Sequence, residues 1–139
     1  MRIRRARQED IDALMAIRAG VRENRLSDPA RVGRADYQEF LTLSTLWLCE
    51  IGGEVAGFAA SDPRDGSIWA LFVAPGHEGA GCGRALLARA CADLRLAGWS
   101  EAWLTTEAGT RAERFYRRNG WLPQGVTADG DRVFRRALT

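Results

Sequence analysis

Apolar side chains recur along this chain with two alternating periods, and the period changes often enough to predict short strands interleaved with helices. Residues 2–6 predict a first strand. The acids of Gln8-Glu9-Asp10 suit a helix N-terminus, and Ile11, Leu14, Ile17 and Val21 then share one helical face. Residues 24–33 break that pattern with Ser27-Asp28-Pro29, and Asp36 with Glu39 three positions on predicts the opening of a short helix to about Leu43. Residues 46–51 and 55–60 flank Gly52-Gly53-Glu54 and predict a hairpin. Pro63-Arg64-Asp65-Gly66 turns the chain into a third strand, Ser67–Val73, completing an antiparallel meander.

From Arg84 onward, Leu86, Leu87, Ala90, Cys91, Leu94 and Ala97 line one helical face, Arg89 and Asp93 form an exposed i,i+4 pair, and Gly98 is a natural stop. The β-branched and aromatic strand Glu101–Glu107 follows, so a right-handed crossover makes it parallel to its neighbour. Thr110 and Glu113 have capping-box spacing for a helix ending at Asn119-Gly120, on which Ala112, Phe115, Tyr116 and Asn119 share a face. Tyr116 therefore points inward or along an edge. Residues 121–127 and 132–138, joined around Asp129-Gly130, predict a final hairpin. The resulting fold class is α+β with a mixed sheet.

Composition narrows the functional classes. A chain of 139 residues, 46% hydrophobic, supports one domain over residues 1–139. Twenty basic against 18 acidic side chains give a charge of +2, too even to suggest a nucleic-acid partner, and Phe115-Tyr116 is an isolated aromatic pair rather than a stacking platform for RNA. All the basic residues are arginine, whose planar fork suits phosphate and carboxylate, although genomic base composition is the favoured explanation of the bias. Cys49, Cys82 and Cys91 have neither disulfide-framework nor zinc spacing, which fits a reducing cytoplasm. The longest apolar run, residues 68–74, is far below the roughly 20 needed to cross a bilayer, and the arginine-rich start runs into acids rather than an apolar signal; no membrane partner is expected.

The candidate chemistry begins at Gly79-Ala80-Gly81-Cys82-Gly83-Arg84, directly after a strand and before a helix. Alternate glycines let the backbone turn and present successive N–H groups, and the helix adds its positive end, so the run reads as a cradle for an anion. A tight connection is the alternative reading. No Gly-Lys-Ser/Thr follows, which disfavours a Walker loop, and the GxGxG spacing without a leading βαβ unit fits the dinucleotide fingerprint poorly.

Two segments in order carry a resemblance. Leu71-Phe72-Val73-Ala74-Pro75 leads into Glu78-Gly79-Ala80-Gly81-Cys82-Gly83-Arg84-Ala85-Leu86-Leu87, and Arg114-Phe115-Tyr116-Arg117-Arg118-Asn119-Gly120-Trp121 follows at the right distance. Together they span about residues 67–122, and the chain there resembles the GNAT superfamily of N-acetyltransferases. The resemblance implies a central mixed, mostly antiparallel sheet flanked by about four helices, with a splayed parallel strand pair at the cofactor site. It implies acetyl-CoA as cosubstrate without a metal, and direct transfer to a primary amine, with a small-molecule acceptor favoured by the absence of an appended domain. The backbone at Leu71, Phe72 and Val73 would pair with the pantetheine arm, the Val73 N–H polarising the thioester carbonyl. Phosphates would sit on the loop Glu78, Gly79, Ala80, Gly81, Cys82, Gly83 and Arg84, with Phe115 also at the cofactor; Arg118 or Arg111 would reach its adenosine end, a solvated helix face being the commoner reading of such arginines.

One position departs from the family's loop: Glu78 stands where a basic or amide side chain is usual, and an ionised carboxylate cannot donate to phosphate. Tyr116 matches the tyrosine that protonates the departing thiolate; the alternative is a core aromatic. An ammonium acceptor must lose a proton, and residues 67–70 offer no carboxylate, leaving Glu107 or Glu50 as the base, directly or through water. His77, the lone histidine, is assigned no catalysis, and Cys82 is more simply a small residue on a packed turn. Arg25, Asp28, Arg31, Trp47 and Trp69 are expected to rim the acceptor cleft. The alternative function is a non-catalytic acyl-CoA sensor. A homodimer through an edge strand of the terminal hairpin is compatible with the family, though no residue establishes it.

Overall fold

The computed structural model describes residues 1–21 and 32–138. Most of the loop expected over residues 24–33, with Arg25, Asp28 and Arg31, lies outside them. The described elements run β1 (Arg2–Arg5), a 3-10 turn (Gln8–Asp10), α1 (Ile11–Gly20), α2 (Arg34–Leu43), β2 (Trp47–Ile51), β3 (Glu54–Asp62), β4 (Ser67–Val73), α3 (Cys82–Leu96), β5 (Glu101–Glu107), α4 (Arg111–Arg118), β6 (Leu122–Val126) and β7 (Asp131–Ala137). The seven strands form one sheet ordered β1-β2-β3-β4-β5-β7-β6, antiparallel throughout except for the β4–β5 pair. Mixed sheet, splayed parallel pair and four flanking helices match the expected architecture. The closing hairpin is folded back so that β7, not β6, pairs with β5, which leaves β6 as the exposed edge.

Each sheet face carries its own apolar cluster. On one, Leu86, Leu87, Ala90 and Leu94 of α3 pack against Ala56, Ala59, Ala102, Leu104 and Phe134, together with Tyr116 and Trp121. On the other, Ile11, Leu14 and Ile17 of α1 and Tyr37 and Phe40 of α2 cover Leu48, Phe58 and Ala70. Each fully buried leucine or isoleucine contributes about 1.5–3 kcal/mol relative to exposure, so these periodic stripes hold the helices on the sheet.

Three local expectations are corrected. The helix after the glycine loop starts at Cys82 rather than Arg84, so Gly83 and Arg84 belong to its first turn. Asp36 is not the cap of α2: it sits inside the first turn, where its Oδ2 accepts from the Gly33 N–H at 2.8 Å. Asp93 does not pair with Arg89 on the surface; its Oδ2 accepts from Trp47 Nε1 at 2.8 Å, while the Arg89 guanidinium lies 4.8 Å from the Trp47 ring centre. Burial pushes the Asp93 carboxyl above its ordinary range, with the Trp47 bond and the Arg5 and Arg89 charges opposing it.

The separation of β4 from β5 has a physical cause at each end. At the Ser67 end the strands are held together: Ser67 pairs with Trp103, the Trp103 N–H donates to the Gly66 carbonyl at 3.2 Å, and Trp103 Nε1 and Trp99 Nε1 donate to the carbonyls of Asp65 and Pro63, each at 2.9 Å. Gly66 is obligatory there, because its φ is +79° and a Cβ would lie 2.8 Å from the Trp99 ring. At the Val73 end no described strand pairs with β4 on the β5 side. A bulge also interrupts β3–β4: Ala60 faces Ala70 and Ser61 faces Ile68, so Trp69 is the extra residue and turns onto the α2 face.

Candidate active site

Between the Leu71–Val73 end of β4, the glycine loop and α4 lies a cleft of about 860 Å³. Its β4 wall follows from strand alternation. The Ala74 N–H donates to the Ala56 carbonyl at 2.7 Å, and the Phe72 carbonyl lies against Gly57, so residues 72 and 74 use their backbone groups toward β3. The N–H and C=O groups of Leu71 and Val73 therefore point the other way, into the cleft, where no described strand pairs with them. A strand edge of this kind takes a ligand with amide groups as if it were a further strand.

The floor at the far end is the glycine loop. Gly76, Gly79 and Gly81 have φ of +93°, +82° and +83°, the left-handed region that favours glycine. Gly81 is the N-cap of α3 without a side-chain cap, so the first-turn N–H groups of Cys82, Gly83 and Arg84 have no side chain to satisfy them. Gly83 differs: its φ is ordinary, and a Cβ there would make ordinary contacts 3.6 Å from Val73 Cγ2 and Phe115 Cζ, so only a larger side chain would crowd the cleft wall. Arg84, Arg111 and Arg118 all line the cleft, and Arg111 Nη2 is 4.0 Å from where a Gly79 Cβ would be. Amides at a helix N-terminus with three arginines fit an anion, and the free β4 edge fits an amide-bearing arm; an acyl-CoA carries both.

Glu78 lines the cleft without donating to it. Its Oε2 accepts from the Gly76 N–H at 2.8 Å, and hydrogen bonds from its own N–H and that of Gly76, followed by the Arg111 and His77 charges, hold the carboxyl below the usual range. The carboxylate thus shapes the turn before the loop. Cys82 faces away from the cleft: it is 1% exposed, and burial first, then the neighbouring Cys49, pushes its thiol up to about 12. Only its backbone N–H remains for a ligand. Ala80 also stays off the lining.

Across from β4, Tyr116 of α4 closes the wall, seated among the rings of Phe115, Trp121 and Phe134 at 5.4, 5.8 and 5.8 Å. Its hydroxyl makes no hydrogen bond to a described residue, and burial, then Cys91, pushes it well above the ordinary tyrosine range. The side chain is 6% exposed and lines the cleft, so a protonated hydroxyl stands at the strand gap. Thr110 Oγ1 accepting from the Glu113 N–H and Glu113 Oε2 accepting from the Gly109 N–H fix the start of α4 and hence the position of Tyr116.

Of the sequence-derived candidates, Leu71, Phe72, Val73, Glu78, Gly79, Gly81, Gly83, Arg84, Phe115 and Tyr116 line one cleft. Glu107 does not: it is exposed at the end of β5, and its carbonyl accepts from Thr110 Oγ1. Glu50 is held by Arg4 Nε at 2.5 Å near the β1 edge, away from the cleft. Trp47 lies between the guanidinium groups of Arg5 and Arg89, also away from it. Sequence reasoning left out Val21, Pro75 and Ala112, which line the cleft; the apolar helical face of α1 pointed to Val21, whose place at the helix end faces the gap.

A splayed parallel pair whose free edge leads to a glycine-loop helix N-terminus suits an amide-bearing arm that ends in phosphates. The family model of the acetyltransferase (GNAT) family matches residues 10–121, and the chain belongs to that family. It is 37% identical over 91 residues to mycothiol acetyltransferase of Beutenbergia cavernae, covering 61% of this chain but only 31% of that protein, so the chain spans about a third of its length. It is 29% identical over 112 residues to an uncharacterized N-acetyltransferase of Mycobacterium bovis, covering 76% of this chain and 69% of the relative. The fold is shared with ribosomal-protein-alanine N-acetyltransferase of Brucella melitensis (TM-score 0.78, 24% identity, 99% and 100% of the two chains). It is shared too with Rv2747 of Mycobacterium tuberculosis, solved with CoA (TM-score 0.79, 18% identity, 100% of both). Among the described residues no helix is long and apolar enough to cross a membrane.

Proposed function

We propose that this protein is an acetyl-CoA-dependent N-acetyltransferase that acts on the primary amine of a small molecule in a reducing, cytoplasmic setting. The observation that carries the reading is the free β4 edge at Leu71 and Val73, leading at one end to the glycine-loop amides and facing Tyr116 across the gap. Acetyl-CoA, when bound, supplies an activated thioester. The amides of residues 79–84 and Arg84, Arg111 and Arg118 hold its phosphates, and the β4 edge orients its arm. The Val73 N–H donates to the thioester oxygen, where negative charge grows during attack. Likeness to mycothiol acetyltransferase supports a small acceptor.

Tyr116 holds its proton firmly, because a phenolate among Phe115, Trp121 and Phe134 would be poorly solvated. It therefore acts as a hydrogen-bond donor to the leaving sulfur, giving up its proton only as charge builds there. Glu107, off the cleft, takes part in deprotonating the amine through water.

The test is acceptor-dependent thiol release from acetyl-CoA against a panel of small amines, with calorimetric titration of CoA alongside. CoA binding with thiol release supports the reading. Binding without release from any acceptor favours the acyl-CoA sensor, for which Glu78 in the phosphate loop is the specific argument, and absence of binding refutes both.

A further inference from the structure

We propose that Leu71 sets the length of the acyl group this cleft accepts, holding the donor to acetyl-CoA and shutting out acyl chains of four carbons. The inference rests on the acetyltransferase reading and adds to it the side chain that fixes the donor class.

The cleft stops short inside the sheet. Of β4 only Leu71, Phe72 and Val73 line it; residues 67–70 do not, and neither does any residue of β5. Behind Leu71 lies core. Ile68, Ala102, Leu104 and Phe134 are buried in the cluster against which Leu71 itself packs, and Ala70 is buried in the cluster on the other face. The strands meet again at the Ser67–Trp103 pair, so the gap narrows in the same direction. A chain that enters from the glycine loop therefore meets packed side chains once it passes Leu71.

Three side chains form that end. Leu71 and Val73 are two residues apart, with the β4 bulge before them, so both point to the α3 face, and each packs against the cluster there. Phe72 points to the opposite face, where its ring centre lies 5.6 Å from that of Phe58. Tyr116 stands across the gap, wedged among Phe115, Trp121 and Phe134. Phe72 and Tyr116 are thus held in place by other rings. Leu71 is aliphatic and half-buried, so it is the one of the three whose shortening opens space without unpicking a ring contact.

The reach of the donor follows from this placement. Val73 belongs to the loop end, since its Cγ2 lies 3.6 Å from where a Gly83 Cβ would be. Leu71 is two residues, about 6.6 Å, further into the gap. With the thioester oxygen on the Val73 N–H and the arm coming from the loop, the acyl chain extends toward Leu71. A single methyl group ends before the leucine. Two further methylenes run into its side chain with Tyr116 fixed opposite, and packed walls yield poorly to added methylenes.

The experiment offers acetyl-, propionyl- and butyryl-CoA to the full chain in wild type, Leu71→Ala, Leu71→Val and Leu71→Met. Thiol release with an acceptor found in the amine panel gives kcat/KM for each donor, and calorimetry without acceptor gives each donor's affinity beside that of free CoA. In wild type, butyryl-CoA should fall below acetyl-CoA by about tenfold or more, the scale of misfitted methylenes in a closed apolar pocket, with propionyl-CoA between them. In L71A the ratio should close to within about threefold through a gain on butyryl-CoA, in L71V it should close less, and L71M should keep the wild-type ratio. A merely structural role would lower all donors together and leave the ratio where it was, which overturns the proposal. A wild type that handles butyryl- and acetyl-CoA alike overturns it too. If L71A does not fold by circular dichroism, L71V decides on the same ratio. If CoA binds but no amine releases thiol, the transferase reading fails while the donor affinities still decide on Leu71, by the same closing of the butyryl-to-acetyl ratio. Absence of CoA binding overturns both.

Discussion

Adding one methyl group at Gly57 tests whether the sheet and the cleft are built as tightly as the structure shows. A Cβ there would lie 2.7 Å from the Phe72 carbonyl oxygen, 3.0 Å from Cys82 Sγ and 3.3 Å from Leu86 Cδ1. The nearest of these is backbone, so Gly57→Ala must push β4 away from β3 or lift the start of α3. Overpacking of this kind costs about 1–3 kcal/mol. With an unfolding entropy of about 2.1 cal/mol/K per residue, a chain of 139 residues loses roughly 3 °C of Tm per kcal/mol, so the expected fall is about 3–10 °C. Gly20→Ala is the matched control: Gly20 ends α1, nothing lies within 4 Å of its added Cβ, and the loss of unfolded-state freedom should raise stability by about 0.4–1 kcal/mol. The assay is thermal unfolding followed by circular dichroism for both variants. Because the displaced Phe72 carbonyl shares its strand with the free edge at Leu71 and Val73, G57A should also bind CoA more weakly at a temperature where it is folded. A G57A protein as stable as wild type would refute the packing of β3, β4 and α3 described above.

Tyr116→Phe should lower kcat by about 10²-fold or more, the scale of a positioned proton donor, while leaving CoA affinity nearly unchanged by calorimetry; an unaltered kcat would remove Tyr116 from the reaction. Gly83→Val, at a position of ordinary φ, pushes side-chain atoms between Val73 and Phe115 and should weaken CoA binding about tenfold with little change in Tm. Asp10 accepts from Arg4 and from the Arg7 N–H, chiefly the Arg4 bond holding its carboxyl below the usual range. As pH falls the unfolded chain therefore takes up that proton first, so the contribution is complete above about pH 4 and disappears as pH drops through the lower folded value; Asp10→Asn should cost about 1 kcal/mol at pH 7 and flatten the acid limb of a denaturation series. If Glu107 takes the amine proton through water, Glu107→Gln should lower kcat by about 10²-fold. If the acceptor instead loses its proton in solution, E107Q should turn over like wild type, and kcat/KM should climb tenfold per pH unit below the acceptor's own pKa.

Elements whose ends are written in local chemistry could be read from the chain alone. Thr110 and Glu113 announce α4: Thr110 Oγ1 accepts from the Glu113 N–H as expected, while the Glu113 carboxylate reaches one residue further back, to the Gly109 N–H. Gly52-Gly53 announces the β2–β3 turn, where both residues have positive φ. What local chemistry cannot show is which strand an element meets. The final hairpin was readable as a hairpin, yet its reversal, with β7 beside β5, depends on Phe134 reaching the cluster around Tyr116 and Trp121. The same holds for Asp93, whose i,i+4 spacing to Arg89 pointed to a surface pair until the fold brought in Trp47 from another strand.

The candidate site divides along that line. Its backbone half was visible, because alternate glycines between a strand and a helix mark a backbone turn at a helix N-terminus and the anion chemistry follows from the amides themselves. Its side-chain half depends on the single register pair Ser67–Trp103, which closes one end of β4–β5 and so decides that Leu71 and Val73 are left open and that Phe72 becomes a wall.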